Sequence, residues 1–346
     1  MFSINNLVRP NIGDLVPYSS ARDEFSGTAT VFLDANENPY NTPLNRYPDP
    51  QQRSLKDKIS EIKQVPPSQI FLGNGSDEAI DLLFRAFCEP GIDNVVAIDP
   101  SYGMYKVCAG INNVAYKNVL LNDDFSLNTP ALIEKTDGNT KLIFLCSPNN
   151  PTGNCMETGK IEYLLKSFKG LVIVDEAYID FAPACSTLTL MKQYPNLVIL
   201  QTLSKAWGLA GIRLGMAFAH QEVIQVLNKI KYPYNINTLT IQKALEALHR
   251  EAEQKNWVQT LLKQRMEVIE KLSSFSCVIK IYPTQANFVL VKVEGANKIY
   301  RYLVEENIIV RNRHAVALCN DCLRITIGTE EENKMLLHAL HTYDKT

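Results

Sequence analysis

KLIFLC (141–146), LVIVDEA (171–177) and LVILQT (197–202) are three apolar runs separated by helical stretches. A strand buried on both faces has no polar side to alternate with, so such runs between helices indicate a mostly parallel sheet covered on both faces. The alternation begins upstream, with a Gly-rich turn after Phe71, the helix-like SDEAIDLLFRAF (76–87) and the strand-like NVVAI (94–98). After Pro233 the character changes: Thr238 to about Leu272 carries a helical pattern that no proline or glycine interrupts, as an interdomain helix would. Then come VIKIYP, ANFVLVKV, a helix candidate around Lys298 to Glu306, IIVR, CLRITIG and a closing helix from Glu330, which suggest a small α+β domain. The expected architecture is α/β, with a polar, turn-rich N-terminal arm over 1–40, a large α/β domain over 41–236 and a small α+β domain over 237–346.

Composition agrees with this and excludes other classes. A chain of 346 residues fits two domains at roughly 100–200 residues each. Hydrophobic residues at 46% and charged residues at 21% exclude disorder, collagen and coiled coil. With 35 Lys plus Arg against 37 Asp plus Glu, the net charge of −2 argues against a nucleic-acid surface. No apolar run approaches the roughly 18–20 residues that cross a bilayer, and Met1 to Pro10 lacks a signal pattern, so no membrane is involved and a cytoplasmic protein is expected. The eight cysteines, several within apolar runs, are expected as reduced, packed thiols. Cys319 and Cys322 form a lone CxxC without zinc-finger spacing, and no metal is expected.

In open α/β sheets ligands bind at the carboxyl ends of strands, so the segments after each run are where chemistry belongs. Gly73-Asn74-Gly75-Ser76-Asp77-Glu78 leads into a helix whose free N–H groups suit a phosphate; the same residues also make an ordinary N-cap at Ser76. They form neither G-x-G-x-x-G nor a Walker loop. Ser147-Pro148-Asn149-Asn150-Pro151-Thr152-Gly153 follows the first run as a rigid loop. Asp175 ends the second, where a carboxylate is costly without a cationic or hydrogen-bonding partner. After the third comes Leu203-Ser204-Lys205-Ala206-Trp207-Gly208-Leu209-Ala210-Gly211-Ile212-Arg213. A lysine among small and apolar residues is desolvated, its pKa falls, and it can form a Schiff base with a carbonyl; alone it reads equally as a snorkelling helix-end lysine.

Together, Pro-Asn-Asn-Pro-Thr-Gly, Asp-Glu-Ala-Tyr and Ser-Lys-Ala-x-Gly-x-Ala-Gly-x-Arg, in this order, resemble the pyridoxal-phosphate-dependent aminotransferases of the aspartate aminotransferase fold (fold type I). Within them the chain is most similar to the histidinol-phosphate aminotransferases. That likeness rests on Leu33-Asp34-Ala35-Asn36-Glu37-Asn38-Pro39, Arg46-Tyr47-Pro48-Asp49, the Gly73–Glu78 turn, Pro100-Ser101-Tyr102-Gly103-Met104-Tyr105 and Cys322-Leu323-Arg324-Ile325-Thr326-Ile327-Gly328.

The resemblance implies a seven-stranded, mostly parallel sheet and a pyridoxal 5'-phosphate cofactor. Lys205 would carry the cofactor as a Schiff base and then move the substrate proton. Asp175 would pair with the pyridinium nitrogen, Asn150 and Tyr178 would hydrogen-bond the phenolic oxygen, and Tyr102 would stack on the ring. Gly75, Ser76, Asp77, Ser204, Arg213 and Thr202 would hold the phosphate. Tyr47 would reach the neighbouring subunit's phosphate, making a homodimer the working unit. Arg324 would grip the carboxylate of glutamate or 2-oxoglutarate in one half-reaction and the phosphate of histidinol phosphate in the other. Arg311 matches a second substrate arginine, with Arg313 as competitor, and Asn36, Asn38 and Tyr18 lie in the arm expected along the substrate side. Trp207 stands where phenylalanine is usual, and Asn312 to Asp321 departs from the family pattern.

The implied reaction is reversible transamination in histidine biosynthesis, converting histidinol phosphate and 2-oxoglutarate to imidazole acetol phosphate and glutamate. A threonine-phosphate decarboxylase of cobalamin synthesis, or another amino-acid aminotransferase of this fold, would use the same cofactor machinery. Transcription regulators with an aminotransferase-like domain need an added DNA-binding domain, for which the match from residue 33 leaves no room upstream.

Overall fold

The structure is a computed structural model in which residues 4–20 and 29–345 are described; residues 1–3 and 21–28 of the expected arm lie outside these. A seven-stranded sheet runs in the order β1-β7-β6-β5-β4-β2-β3, built from β1 (Ile70–Asn74), β2 (Asn94–Asp99), β3 (Ala115–Leu120), β4 (Thr140–Cys146), β5 (Leu171–Asp175), β6 (Leu197–Thr202) and β7 (Leu214–Ala219). The pairings β3/β2, β2/β4, β4/β5 and β5/β6 are parallel, as the apolar runs require. β7 alone runs backwards, antiparallel to both β1 and β6.

Side chains alternate across this sheet and feed two separate cores. Ile143, Leu145, Val172, Val174 and Ile199 face one layer. Leu142, Phe144, Ile173, Val198 and Leu200 face the other, with Phe84 and Tyr105 from the covering helices Ser76–Phe87 and Met104–Ile111. The first of these helices buries Ala79, Ile80, Leu83, Phe84 and Phe87, the 3.6-residue stripe its sequence promises.

A second sheet, in the order β10-β11-β9-β8, is antiparallel throughout. Its strands are β8 (Val278–Ile281), β9 (Phe288–Val293), β10 (Arg311–Asn312) and β11 (Cys322–Thr326), packed with the helices Glu251–Leu272, Ala296–Glu305 and Glu330–Asp344 around Val289, Val291, Leu323, Ile325 and Leu336. The helical pattern from Thr238 to Leu272 is two helices, Thr238–Leu248 and Glu251–Leu272, broken at His249 and Arg250. The first packs on Arg53–Lys63 beside the large sheet and the second on β9 and the closing helix, so the bend lets one sequence run serve two cores. Among the described residues no helix is long and apolar enough to cross a membrane.

The expectation of eight reduced thiols is corrected at two positions. Six cysteines are buried and free, but Cys155 and Cys185 are joined as a disulfide with Cα atoms 6.4 Å apart. Neither lies in an apolar strand; both sit in half-buried loops beyond the ends of β4 and β5, where strand pairing brings distant sequence together.

The reversed strand sets the geometry of the ligand edge. β7 starts where β1 and β6 end, so Arg213, just before it, lies beside Gly75, just after β1. Gly75 N–H donates to the Arg213 carbonyl at 2.8 Å. Gly215 meets this turn so closely that a Cβ there would stand 2.1 Å from the Ser76 nitrogen and 2.3 Å from the Gly75 carbonyl carbon, both backbone atoms. Gly215→Ala is therefore expected to destabilise the fold by about 2–4 kcal/mol in urea unfolding, as overpacking against unyielding backbone does. Gly211→Ala, with nothing within 4 Å of its Cβ, serves as the near-neutral control.

Candidate active site

One pocket at the carboxyl edge of the large sheet is lined by Gly75, Ser76, Asp77, Tyr102, Cys146, Asn150, Asp175, Tyr178, Thr202, Ser204, Lys205 and Arg213, among others. Strand pairing assembles it: Cys146 sits opposite Asp175 across β4 and β5, and Thr202 opposite Gly215 across β6 and β7. Its polar ends differ in character.

One end is an anion cradle. Gly75, at φ +72°, aims the start of helix Ser76–Phe87 at the pocket, and a Cβ at this position would lie 2.8 Å from Arg213 Nη2. Thr202 Oγ1 accepts the Ser204 N–H at 3.1 Å and lies 3.0 Å from Ser204 Oγ, which fixes the approach to Lys205. Arg213 reaches Asp77 only at 3.7 Å, while Tyr102 OH donates to the other Asp77 oxygen at 3.1 Å. Burial, with Asp77 as the next cause, pushes the Tyr102 phenol well up.

The other end is a buried carboxylate. Asp175 Oδ2 accepts from Tyr105 OH at 2.7 Å and Oδ1 from the Ala177 N–H at 3.1 Å. Burial nevertheless raises its pKa to about 6. Among the described residues no basic side chain forms an ion pair with it, so the site suits a cationic nitrogen supplied by a ligand. Tyr105 is itself fully buried and stacked on Phe144 at 4.8 Å, with the edge of Tyr102 against it. The next residue, Glu176, points through the opposite face of the sheet. Its carboxylate takes the Thr187 hydroxyl and the Ser186 hydroxyl at 2.8 and 2.9 Å, the Gln201 amide at 2.9 Å, and the Thr187 N–H.

Lys205 opens into the space between these ends, its Nζ 5.4 Å from the Tyr178 ring centroid. Partial withdrawal from water, with Arg324 as the next cause, lowers its pKa, and Asp175 opposes the shift. Tyr178 is held edge-on by Phe288 of the small sheet at 5.1 Å. Arg324, on β11, donates from Nη1 to Asn150 Oδ1 and lies 5.2 Å from the same Phe288 ring, so Asn150 ties the large-sheet pocket to the small-sheet arginine. Arg311 pairs directly with Arg324 across β10 and β11 but is exposed, whereas Arg313 is half-buried. Among the described residues, neither Arg313 Nε nor Arg324 Nε has a hydrogen-bond partner. Burial, then Arg324 and Arg311, lower the Arg313 pKa to about 10.

A family described as aminotransferase class I and II matches residues 24–340. The chain belongs to this family. It is 59% identical over 344 residues to the histidinol-phosphate aminotransferase of Bacteroides thetaiotaomicron, covering 99% of each chain. Among solved structures, the histidinol-phosphate aminotransferase from Clostridium acetobutylicum superposes with a TM-score of 0.81 at 27% identity, covering 87% of this chain and 91% of that one. The Sinorhizobium meliloti histidinol-phosphate aminotransferase in complex with pyridoxal-5'-phosphate shares the fold, with a TM-score of 0.78 at 23% identity over 87% of this chain and 83% of that one.

Against this aminotransferase background, six expected residues do not line this pocket of a single chain: Arg311 and Arg324, which stand on the small sheet, and Tyr18, Asn36, Asn38 and Tyr47 of the N-terminal part. Tyr18 lies in a separate cleft with Pro50, Arg53 and Lys229. Asn36 and Tyr47 line a surface hollow with Arg46 and Thr238, and Tyr47 stacks on Tyr234 at 4.4 Å. Conversely, Tyr105 contacts Asp175 although only its neighbour Tyr102 stood out in the sequence; its place three residues on, at the start of a helix, was the available signal. Trp207 has a local reason: its indole N–H donates to Asp180 at 3.1 Å, and Asp180 also pairs with Lys63 at 2.9 Å.

The raised pKa of Asp175 has a measurable sign. Its folded-state value of about 6 exceeds the ordinary aspartate value of 3.8, so protons favour the folded state. That contribution is full below about pH 4 and is lost as pH rises through 6, on the order of 3 kcal/mol for a group this buried. In cofactor-free protein, the stability difference between wild type and Asp175→Asn should shift in favour of the variant from pH 4 to pH 7. A flat difference in urea midpoints across that range would contradict the reading.

Proposed function

We propose that the chain is a histidinol-phosphate aminotransferase using pyridoxal 5'-phosphate, passing the amino group between L-histidinol phosphate and 2-oxoglutarate. The observation that carries the reaction type is the convergence in one pocket of a depressed-pKa lysine, a buried carboxylate that no basic side chain among the described residues pairs with, and a helix-start anion cradle beside an arginine. The near full-length likeness to proteins of that name supports the choice of substrate.

The residues present fit the cofactor. The Ser76 and Asp77 backbone N–H groups at the helix start, set in place by the Gly75 turn, would hold its phosphate together with Ser204, Thr202 and Arg213. Asp175 would face the ring nitrogen, whose positive charge would offset the cost of burying the carboxylate. Tyr102 would lie against the ring, and Asn150 and Tyr178 would hold its phenolic oxygen. When bound, pyridoxal phosphate supplies an electron-withdrawing ring that stabilises the electron pair left when a substrate C–H proton is removed. Lys205 would attach it and then carry that proton; a pKa lowered toward working pH leaves more of the amine free to accept it.

For substrate anions, Arg324 is steered by Asn150 and Phe288 toward the Lys205 side. Arg313, half-buried with an unpartnered Nε, is the better second cation than the exposed Arg311, since an anionic substrate group would satisfy what the protein leaves bare. The working unit is a homodimer in which Tyr47, Asn36 and Tyr18 serve the partner's site. The exposed apolar side chains Leu44 and Leu239, which line the same hollow as Tyr47, support that arrangement.

Purified protein given pyridoxal phosphate, histidinol phosphate and 2-oxoglutarate should release glutamate; carbon dioxide from threonine phosphate, with no glutamate formed, would point to a decarboxylase instead. Lys205→Ala should abolish turnover and should no longer be labelled when borohydride is used to fix the cofactor to the protein. Arg313→Gln should raise KM for histidinol phosphate by about tenfold or more, with a smaller effect on glutamate, the loss expected for a charged hydrogen bond. Equal KM changes in Arg311→Gln and Arg313→Gln would refute the preference for Arg313.

A further inference from the structure

We propose that Cys155 and Cys185 form a redox-sensitive clasp that braces the two loops carrying Asn150 and Tyr178, and that low-molecular-weight disulfides close it. The thiol chemistry stands by itself; only its consequence at the cofactor rests on the function proposed above.

The two sulfurs join segments 30 residues apart, one beyond β4 and one beyond β5. Each segment is already held in place. On the first, Gly153 N–H donates to the Asn149 carbonyl at 2.7 Å, Asn149 Nδ2 donates to Thr152 Oγ1 at 2.8 Å, and Asn154 Nδ2 donates to the Phe125 carbonyl at 3.0 Å. The Cys155 N–H donates to Gln285 Oε1 at 2.9 Å and the Gln285 N–H to the Gly153 carbonyl at 2.7 Å, so this loop is also docked on the small-sheet side of the molecule. On the second, Cys185 is followed by Ser186 and Thr187, both anchored to the buried carboxylate of Glu176, the residue after Asp175. A bond between Cys155 and Cys185 thus closes a loop that contains Asp175, Glu176 and Tyr178, and it pins the end of the segment that carries Asn150 just before Cys155.

The pair is also chemically distinct from the other cysteines. Cys155 and Cys185 are partly exposed, whereas the six free thiols are buried. Burial pushes the Cys108 thiol up to about 11 and the Cys277 thiol up to about 12, which leaves these two little reactive thiolate; the Cys322 thiol is instead lowered by its hydrogen bond with Cys319, but it is fully buried and so shielded from glutathione. Closure begins when the thiolate of one of the pair attacks a sulfur of glutathione disulfide and expels one glutathione thiolate. The second cysteine thiolate then displaces the bound glutathione as a second thiolate. The two protein thiols give up two electrons and two protons, and one glutathione disulfide becomes two glutathione thiols. Because each loop is preorganised, the bond forms with little rearrangement, and by cross-linking the chain it favours the folded loops over opened ones.

The test equilibrates the full-length protein with oxidised or reduced glutathione and quenches it by alkylation before non-reducing peptide mapping. A Cys155–Cys185 linked peptide should appear with oxidised glutathione and disappear with reduced, while the other six cysteines remain alkylatable after unfolding. Oxidised protein should melt several degrees higher than reduced protein, with or without cofactor, and should lose pyridoxal phosphate several-fold more slowly on dialysis. Both differences should vanish in Cys155→Ser and in Cys185→Ser. Absence of the linked peptide under oxidising equilibrium, or identical melting of the two forms, would overturn the clasp. A protein that bound no pyridoxal phosphate would instead sink the proposed function and leave the peptide and melting readouts standing.

Discussion

The arrangement of the site depends on one close approach: strand β7, running against its neighbours, brings Gly215 onto the backbone of Gly75 and Ser76. Six parallel strands alone would deliver loops and helix starts to one edge of the sheet, with uncharged backbone donors there. The reversed strand adds a chain segment entering the sheet at that same edge, and the residue at its entrance is Arg213, in a left-handed conformation at φ 55°. A helix dipole and a guanidinium thereby meet at one place. Everything on the anion side of the pocket follows from a contact that tolerates no side chain at all.

The electrostatics of the remaining pocket consist of charges left incompletely answered. Among the described residues, Asp175 is buried with two donors and no paired cation, Lys205 is partly desolvated, and Arg313 and Arg324 retain unpartnered nitrogens. A fold under selection for stability alone would pair or remove such groups. Elsewhere this chain does pair them: Lys63 with Asp180, Arg9 with Glu89, and Glu176 with its four donors. The contrast within one molecule separates charges that hold the fold from charges kept for a ligand.

Much of this was legible in the sequence, for reasons that differ by residue. The buried strands announce themselves because a doubly covered strand has no polar alternation, and the loops after them stand out by composition. Lys205, Asp175, Asn150 and the Gly75–Asp77 turn come together because strand order carries each loop to the same edge. Tyr105 was hidden because its role depends on the sheet face that Asp175 chooses. The break at His249 was hidden because no proline or glycine marks it; the two halves simply pack on different cores. The disulfide was hidden because cysteine spacing of 30 residues says nothing until β4 and β5 are adjacent. Tyr18, Asn36 and Tyr47 lie outside the single-chain pocket, and no pattern within one chain reports on what a second copy would bring.

Adjacent acidic residues at the end of β5 carry a further consequence. Asp175 and Glu176 are both buried, one residue apart, and the two-residue period of a strand sends them through opposite faces into different surroundings, a phenol on one side and three hydroxyl or amide side chains on the other. A slip of β5 by a single position would swap them, setting the longer carboxylate against Tyr105 and leaving the shorter one unable to span to Ser186, Thr187 and Gln201. The pair thus acts as a two-letter address for the strand, and only one alignment of the central sheet reads both letters correctly.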